Sequence, residues 1–256
     1  MTEHLGRFVW YDLMTTDPQA AAAFYGDVIG WRTRDSGLPD RSYTILLAGE
    51  TGVGGLMALP PEACAAGARP GWKGYIAGGE VDSAVGRVKQ AGGTVHHAPE
   101  DIPGIGRFAV VADPHGAVFT LFHGASAPPP PLPPGMPGTI GWHELQAGDM
   151  ESAFAFYSTL FGWTKDHAFD MGAMGAYQIF AQGGVPIGGM MTRSAAVPMP
   201  FWLYYFNVDA IDAAVARTTE RGGALINGPM EVPGGLWVAQ CRDPQGAMFA
   251  MVAPRR

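Results

Sequence analysis

Residues 10–31 read WYDLMTTDPQAAAAFYGDVIGW, and residues 142–163 read WHELQAGDMESAFAFYSTLFGW. One constant offset aligns Trp10 with Trp142, Leu13 with Leu145 and Asp17 with Asp149. It also aligns Phe24–Tyr25 with Phe156–Tyr157 and Gly30–Trp31 with Gly162–Trp163. An acid follows each opening tryptophan by two positions: Asp12 and Glu144. A repeat of this length decides the domain plan before any local assignment. Each copy opens with a short alternating run, which reads as a strand. Asp17 or Asp149 then caps a helix, with Pro18 at the first helical position of copy one. Phe24 with Val28, and Phe156 with Leu160, recur at helical spacing. Gly30 and Gly162 stand where a left-handed stop is expected.

Working outward, residues 8–14 read as a strand and 17–29 as a helix. Strands follow at 31–35, 43–48 and 52–58, then a loop at 63–70. A second round gives a strand at 72–77, a helix at 82–91 stopped by Gly92–Gly93, and strands at 94–97, 107–112 and 117–122. The second half repeats this programme. Tyr177 answers Tyr43, Gly188–Gly189 answer Gly54–Gly55, and Met191 answers Met57. Trp202, Tyr205 and Gly222–Gly223 answer Trp72, Tyr75 and Gly92–Gly93. Asp243-Pro-Gln-Gly246 answers Asp113-Pro-His-Gly116, a turn between two apolar strands with Pro set for the first corner. Two domains of about half the chain each follow: 1–125, a Pro-rich linker at 126–138, and 139–256. The linker's proline run favours extended polyproline II, which suits a spacer; an SH3 or WW ligand is the alternative.

The 256 residues are 47% hydrophobic and carry a net charge of −7, with pI near 5.4. No basic stripe exists, so nucleic acid and anionic membranes are poor partners. No apolar run approaches about 18 residues, and the N-terminus lacks a signal-peptide pattern, so a soluble cytoplasmic protein is expected. Cys64 and Cys241 form no CxxC or zinc spacing and read as buried, inert thiols.

Strand, Asp-capped helix with Phe-Tyr, Gly-Trp, a glycine pair after a second helix, and Asp-Pro-x-Gly near the end: this order resembles the vicinal oxygen chelate superfamily, the glyoxalase, bleomycin-resistance and extradiol-dioxygenase group. The resemblance covers nearly all of both copies. It implies an α+β fold of two tandem domains and four βαβββ modules, with curved mixed sheets, concave cavities and helices outside. Four modules complete both cavities within one chain, so a monomer suffices, with a homodimer as the alternative.

The family's enzymes hold one divalent metal, which acts as a Lewis acid on a bidentate substrate. Counting from the motifs, the ligand positions fall at Trp10, Lys73 and Thr120, with Ile45 as a rough fourth. In copy two they fall at Trp142, Leu203 and Ala250, with Ile179 as the fourth. Imidazole or carboxylate ligands are needed there, so no metal and no other cofactor is expected. Asp12 and Glu144 share a strand face with Trp10 and Trp142 and are the candidate catalytic acids. His143 faces the other way and is expected to pack beside the helix. His96 and His97 point to opposite faces. His115 sits in a turn where copy two has Gln245. Gly-Val-Gly-Gly at 52–55 resembles a phosphate loop only superficially, and its counterpart Val-Pro-Ile-Gly-Gly at 185–189 lacks the spacing.

Trp10, Tyr43, Met57, Trp72 and Tyr75 are the candidate ligand-binding residues of copy one. Trp142, Tyr177, Met191, Trp202 and Tyr205 are those of copy two. Such side chains suit a planar or hydrophobic small molecule. The expectation is therefore a small-molecule-binding protein with aromatic-lined cavities and no standard metal site. The alternative is an enzyme of the group: a glyoxalase-type lyase, an isomerase, or a hydroxylase or dioxygenase-like oxidoreductase. It would use a divalent metal with relocated ligands, or metal-free acid–base catalysis.

Overall fold

Asp17 accepts a hydrogen bond from the Ala20 amide (3.0 Å), and Asp149 one from the Ser152 amide (2.9 Å), so both capping aspartates start their helices. Gly30 and Gly162 end those helices at φ 90° and 70°, a conformation that only glycine adopts without strain. The computed structural model describes residues 4–38, 42–126 and 132–256.

The first copy runs β1 (Phe8–Thr15), α1 (Pro18–Ile29), β2 (Arg32–Asp35), β3 (Thr44–Ala48), β4 (Thr51–Ala58), α2 (Pro61–Ala65), β5 (Gly71–Ala77), α3 (Val81–Gln90), β6 (Thr94–Ile102), β7 (Gly106–Ala112) and β8 (Val118–Gly124). The second runs β9 (Ile140–Ala147), α4 (Met150–Phe161), β10 (Thr164–Asp170), β11 (Ala176–Gln182), β12 (Val185–Thr192), β13 (Phe201–Asn207), α5 (Ile211–Glu220), β14 (Ala224–Val232), β15 (Leu236–Arg242) and β16 (Met248–Ala253). Apart from α2, each copy is βαβββ twice. The short helix α2 reaches into the loop expected at 63–70. Pro61 begins it at the position where a missing amide hydrogen is harmless, and an alanine-rich turn continues it. The part of the proline run at 127–131 lies outside the described residues.

The strands form two sheets of eight, ordered β2-β3-β4-β1-β5-β8-β7-β6 and β10-β11-β12-β9-β13-β16-β15-β14. The second order repeats the first. Within each module the first and last strands pair in parallel, as β1 with β4 and β5 with β8, while the hairpin strands pair antiparallel. The sheets are therefore mixed, and the fold is α+β.

The compact units cut across the repeat. One is made of Met1–Val9, Gly74–Pro130 and His143–Trp202; the other of Trp10–Lys73, Pro131–Trp142 and Leu203–Arg256. Each unit thus joins one module from each copy. In the second of these units, Trp31 Nε1 donates to the Gly138 carbonyl (2.7 Å), and Tyr25 donates to Asp243 (3.1 Å). In the first, Trp163 Nε1 donates to the Gly6 carbonyl (2.8 Å), and Tyr157 to Asp113 (3.3 Å). The repeated motifs Phe-Tyr, Gly-Trp and Asp-Pro-x-Gly are therefore contact residues between copies. Gly6 and Gly138, at φ 80° and 82°, occupy equivalent places ahead of β1 and β9. A side chain at either would press on the tryptophan it meets.

Candidate functional site

Trp10, Asp12 and Met14 alternate along β1 with Tyr11, Leu13 and Thr15, which belong to the core. The first three share the opposite face. There the Trp10 indole Nε1 donates to Tyr43 Oη (2.7 Å) and to Asp12 Oδ1 (3.1 Å), and Tyr43 Oη donates to the same carboxylate oxygen (2.7 Å). Asp12 is 2% exposed, while both rings remain half-buried. Burial first, and the Asp12 charge second, push the Tyr43 hydroxyl far above its ordinary pKa. It therefore stays a donor.

Gly55 lies opposite Asp12 in the β1–β4 register. A Cβ there would collide with the Tyr43 hydroxyl and lie 2.6 Å from Asp12 Oδ1. Gly55 is therefore a clearance for the tyrosine, while Gly54 lets β4 approach the Tyr11 carbonyl. Met57 pairs with Met14 in the same register. Lys73 on β5 reaches this cluster, with Nζ 3.6 Å from Met14 Sδ. Burial pulls its amine below the ordinary lysine range, against the opposing pull of Asp12.

In copy two, Glu144 on β9 is 6% exposed and accepts from Tyr177 Oη (3.2 Å) and from Gln146 Nε2 (2.8 Å). Gly189 lies opposite it, and a side chain there would strike the Tyr177 ring. Gln146 takes the place of Met14 and pairs in register with Met191; buried Leu203 takes the place of Lys73. The two copies therefore share an acid bonded by a tyrosine, but only the first adds an amine. Trp142 is half-buried at the start of β9.

Residues 139–251 match the Glyoxalase/Bleomycin resistance protein/Dioxygenase superfamily, and residues 9–122 match the Glyoxalase-like domain. The chain belongs to this superfamily, as two glyoxalase-like domains in tandem. It is 33% identical to "Putative glyoxylase CFP32" of Mycobacterium tuberculosis over 96% of this chain and 94% of that one. It is 31% identical to the anthracycline biosynthesis protein DnrV of Streptomyces peucetius over 98% and 94%. Among solved structures, the Mn(II)-bound glyoxalase of Novosphingobium aromaticivorans superposes with a TM-score of 0.64 at 18% identity, covering 98% of this chain and 82% of that one. A 4-hydroxymandelate synthase variant from Streptomyces coelicolor gives 0.65 at 19%, covering 97% and 92%. These two likenesses speak for the fold.

The family implies a divalent metal, and the donor set here does not fit one. Indole and threonine hydroxyl stand at Trp10 and Thr120, with the Lys73 amine between them in sequence. The Asp12 oxygen on this face already accepts two hydrogen bonds. Among the described residues no group of three or more His, Cys, Asp or Glu side chains is placed to hold a metal. No helix among them is long and apolar enough to cross a membrane.

The remaining candidate residues divide by strand parity. Trp72 Nε1 donates to Tyr25 Oη on α1 (2.9 Å), and its ring packs edge-on to Tyr25 and Phe206. Trp202 donates likewise to Tyr157 on α4 (3.2 Å) and packs edge-on to Phe8. Both are core residues on the helix side. Each lies three positions before its tyrosine, Tyr75 or Tyr205, and a strand sends such a pair to opposite faces. Grouping them as one ligand-binding set is corrected accordingly. Tyr75 pairs in register with Thr120 and packs edge-on to Phe122; buried Tyr205 accepts from Gln240 (2.9 Å).

His143 packs on the helix side as its parity predicts. It stacks on Phe8 at 3.9 Å, and its Nδ1 donates to the Ile187 carbonyl (2.6 Å). Burial pushes its pKa down to about 4. His115 is exposed and bonds Ser152. Cys241 is buried, and burial pushes its thiol up to about 12. Cys64 is only half-buried, because it lies on the surface helix α2. Gln146 and Gln240 escaped the sequence reading. Gln146 was open to the same parity argument as Glu144; nothing in sequence ties Gln240 to Tyr205.

Proposed function

We propose that this chain binds a small, planar molecule on the first copy's sheet face at Trp10, Asp12, Tyr43 and Met57, without a resident metal. The observation that carries this reading is the nearly buried Asp12 carboxylate held under two half-buried aromatic rings by Tyr43 and Trp10. An aromatic ring entering there would stack, worth about 0.5–1.5 kcal/mol beyond area burial. A polar group on it would exchange hydrogen bonds with Tyr43 or Asp12. The thioethers of Met14 and Met57 offer adaptable walls. The name of the anthracycline biosynthesis relatives supports a flat, hydroxylated ligand. Glu144, Tyr177 and Met191 would form a second counterpart, without an amine, in copy two, and Trp142, Tyr75 and Tyr205 are further candidates.

A metal-free acid–base enzyme is the second reading. Lys73 favours it: burial lowers its amine from the ordinary lysine value, which is the direction a general base needs. A divalent metal with relocated ligands has no comparable support among the described side chains.

The test is mass spectrometry of small molecules released from the natively purified protein, comparing wild type with Trp10→Ala and Asp12→Asn. A compound present at near-equal molar amount in wild type and lost from both variants supports binding at this face. The same compound retained in both folded variants refutes it.

A further inference from the structure

Lys73 in the first-copy cluster is poorly satisfied by the protein. An ammonium carries three donors. Its hydrogen bond goes to a thioether, Met14 Sδ, at 3.6 Å. Sulfur is a weak acceptor, and an amine taken out of water without a proper partner is costly. Asp12, the acid whose charge acts on Lys73, spends Oδ1 on Trp10 and Tyr43. Copy two has no such problem, because Leu203 stands at the matching place and Gln146 replaces Met14. The amine is therefore a feature of the first face alone.

We propose that Lys73 fixes an ionised oxygen of the ligand, so that the ligand of the first copy carries an acidic hydroxyl, a phenol or an enol. In this protein a side-chain cation supplies the positive charge at a position where the family's count places a metal ligand. The O–H bond of the ligand breaks, and its proton passes to a neutral Lys73 amine or to water. The oxyanion and the ammonium then pair. The charge acting on the amine is that of Asp12, which Tyr43 bonds. The Asp12 charge opposes the anion, and Tyr43 stays protonated and offers no charge. An opposite charge within a few Å lowers the pKa of an acid by about one to three. The inference rests on the proposed binding of a small molecule at this face.

The probes are 4-nitrophenol, whose phenolate is yellow, and its methyl ether 4-nitroanisole, which cannot ionise. Each is titrated into the whole chain while tryptophan fluorescence reports binding and visible absorbance reports ionisation. The expected result is that bound 4-nitrophenol ionises at a pH lower by about one to three than free probe. The effect persists in Lys73→Arg and disappears in Lys73→Met. Lys73→Gln decides the case if Lys73→Met fails to fold. Binding of both probes with no change in ionisation, or an equal change in Lys73→Met or Lys73→Gln, overturns the Lys73 assignment and leaves the site standing. Failure of both probes to bind overturns the site reading and this inference with it.

Discussion

Tyr25 on α1 donates its hydroxyl hydrogen to Asp243, 3.1 Å away and 218 positions along the chain, and itself accepts from Trp72 Nε1 at 2.9 Å. Asp243 also accepts from the amides of Gln245 and Ala247, which hold its turn. Replacing Tyr25 by Phe leaves the Trp72 indole without an acceptor and removes one of the carboxylate's donors. The expected loss is about 1.5–3 kcal/mol, the range for a hydrogen bond to a charged group. Chemical denaturation of wild type and variant measures it; a loss below about 0.5 kcal/mol would mean that the turn amides alone hold the aspartate.

The same cross-copy bonds predict how fragments behave. Residues 1–126 contain Tyr25 and Trp31 but lack Asp243 and Gly138, their partners in the second copy. Asp113 and Gly6 are the equivalents within the fragment, available from a second copy of it. The fragment is expected to fold only as a homodimer or with residues 132–256 added. Sedimentation and proton NMR check this; a folded monomer of residues 1–126 would contradict the interleaved units.

Gly55 and Gly189 set up a third test. A methyl group at Gly55 collides with the Tyr43 hydroxyl and crowds Asp12. Gly55→Ala should therefore displace Tyr43, weaken probe binding at copy one, and cost about 1–3 kcal/mol as an overpacked site. Gly189→Ala should do the same to Tyr177 and leave copy one's binding intact. Calorimetric titration with 4-nitroanisole separates the two; equal effects of both variants on copy-one binding would sink the clearance argument.

His143 makes stability depend on pH. Its folded pKa, about 4, lies below the ordinary value of 6.5. The unfolded chain therefore binds a proton that the folded chain refuses. This neutral-histidine stability is fully present above pH 6.5 and is lost progressively as pH falls toward 4. Its size is about 3 kcal/mol at most. Melting curves from pH 7 to pH 4 should show a steeper decline in wild type than in His143→Phe, which keeps the stack on Phe8. Parallel declines would show that the histidine takes up its proton equally in the folded and unfolded chain.

The fold was legible because its signals are local and doubled. Asp17 and Asp149 cap, Gly30 and Gly162 stop, and both copies run strand, helix and three strands in the same order. What the residues of one copy could not reveal is that Tyr25 answers to Asp243 and Trp31 to Gly138, since a repeat looks the same whether its contacts close within a copy or across copies. At the site, parity placed Asp12 beside Trp10 and sent His143 to the core. Parity also forbids Trp72 and Tyr75 from sharing a face, and motif matching alone overlooks this. The convergence of Tyr43 on Asp12 needed the β1–β4 register and the Gly55 clearance. The poor partner of Lys73 needed coordinates, because a lysine on a strand reads in sequence as a surface residue.

The most direct test of the proposed site is the indole region of a nitrogen–proton correlation spectrum during titration with 4-nitroanisole. The Trp10 Nε1–H, which bonds both Tyr43 and Asp12, is assigned by its absence in Trp10→Phe. Binding at the first copy's sheet face predicts that this resonance moves saturably, while those of the core residues Trp31 and Trp72 hold still. A Trp10 signal unchanged at saturating probe would contradict the account.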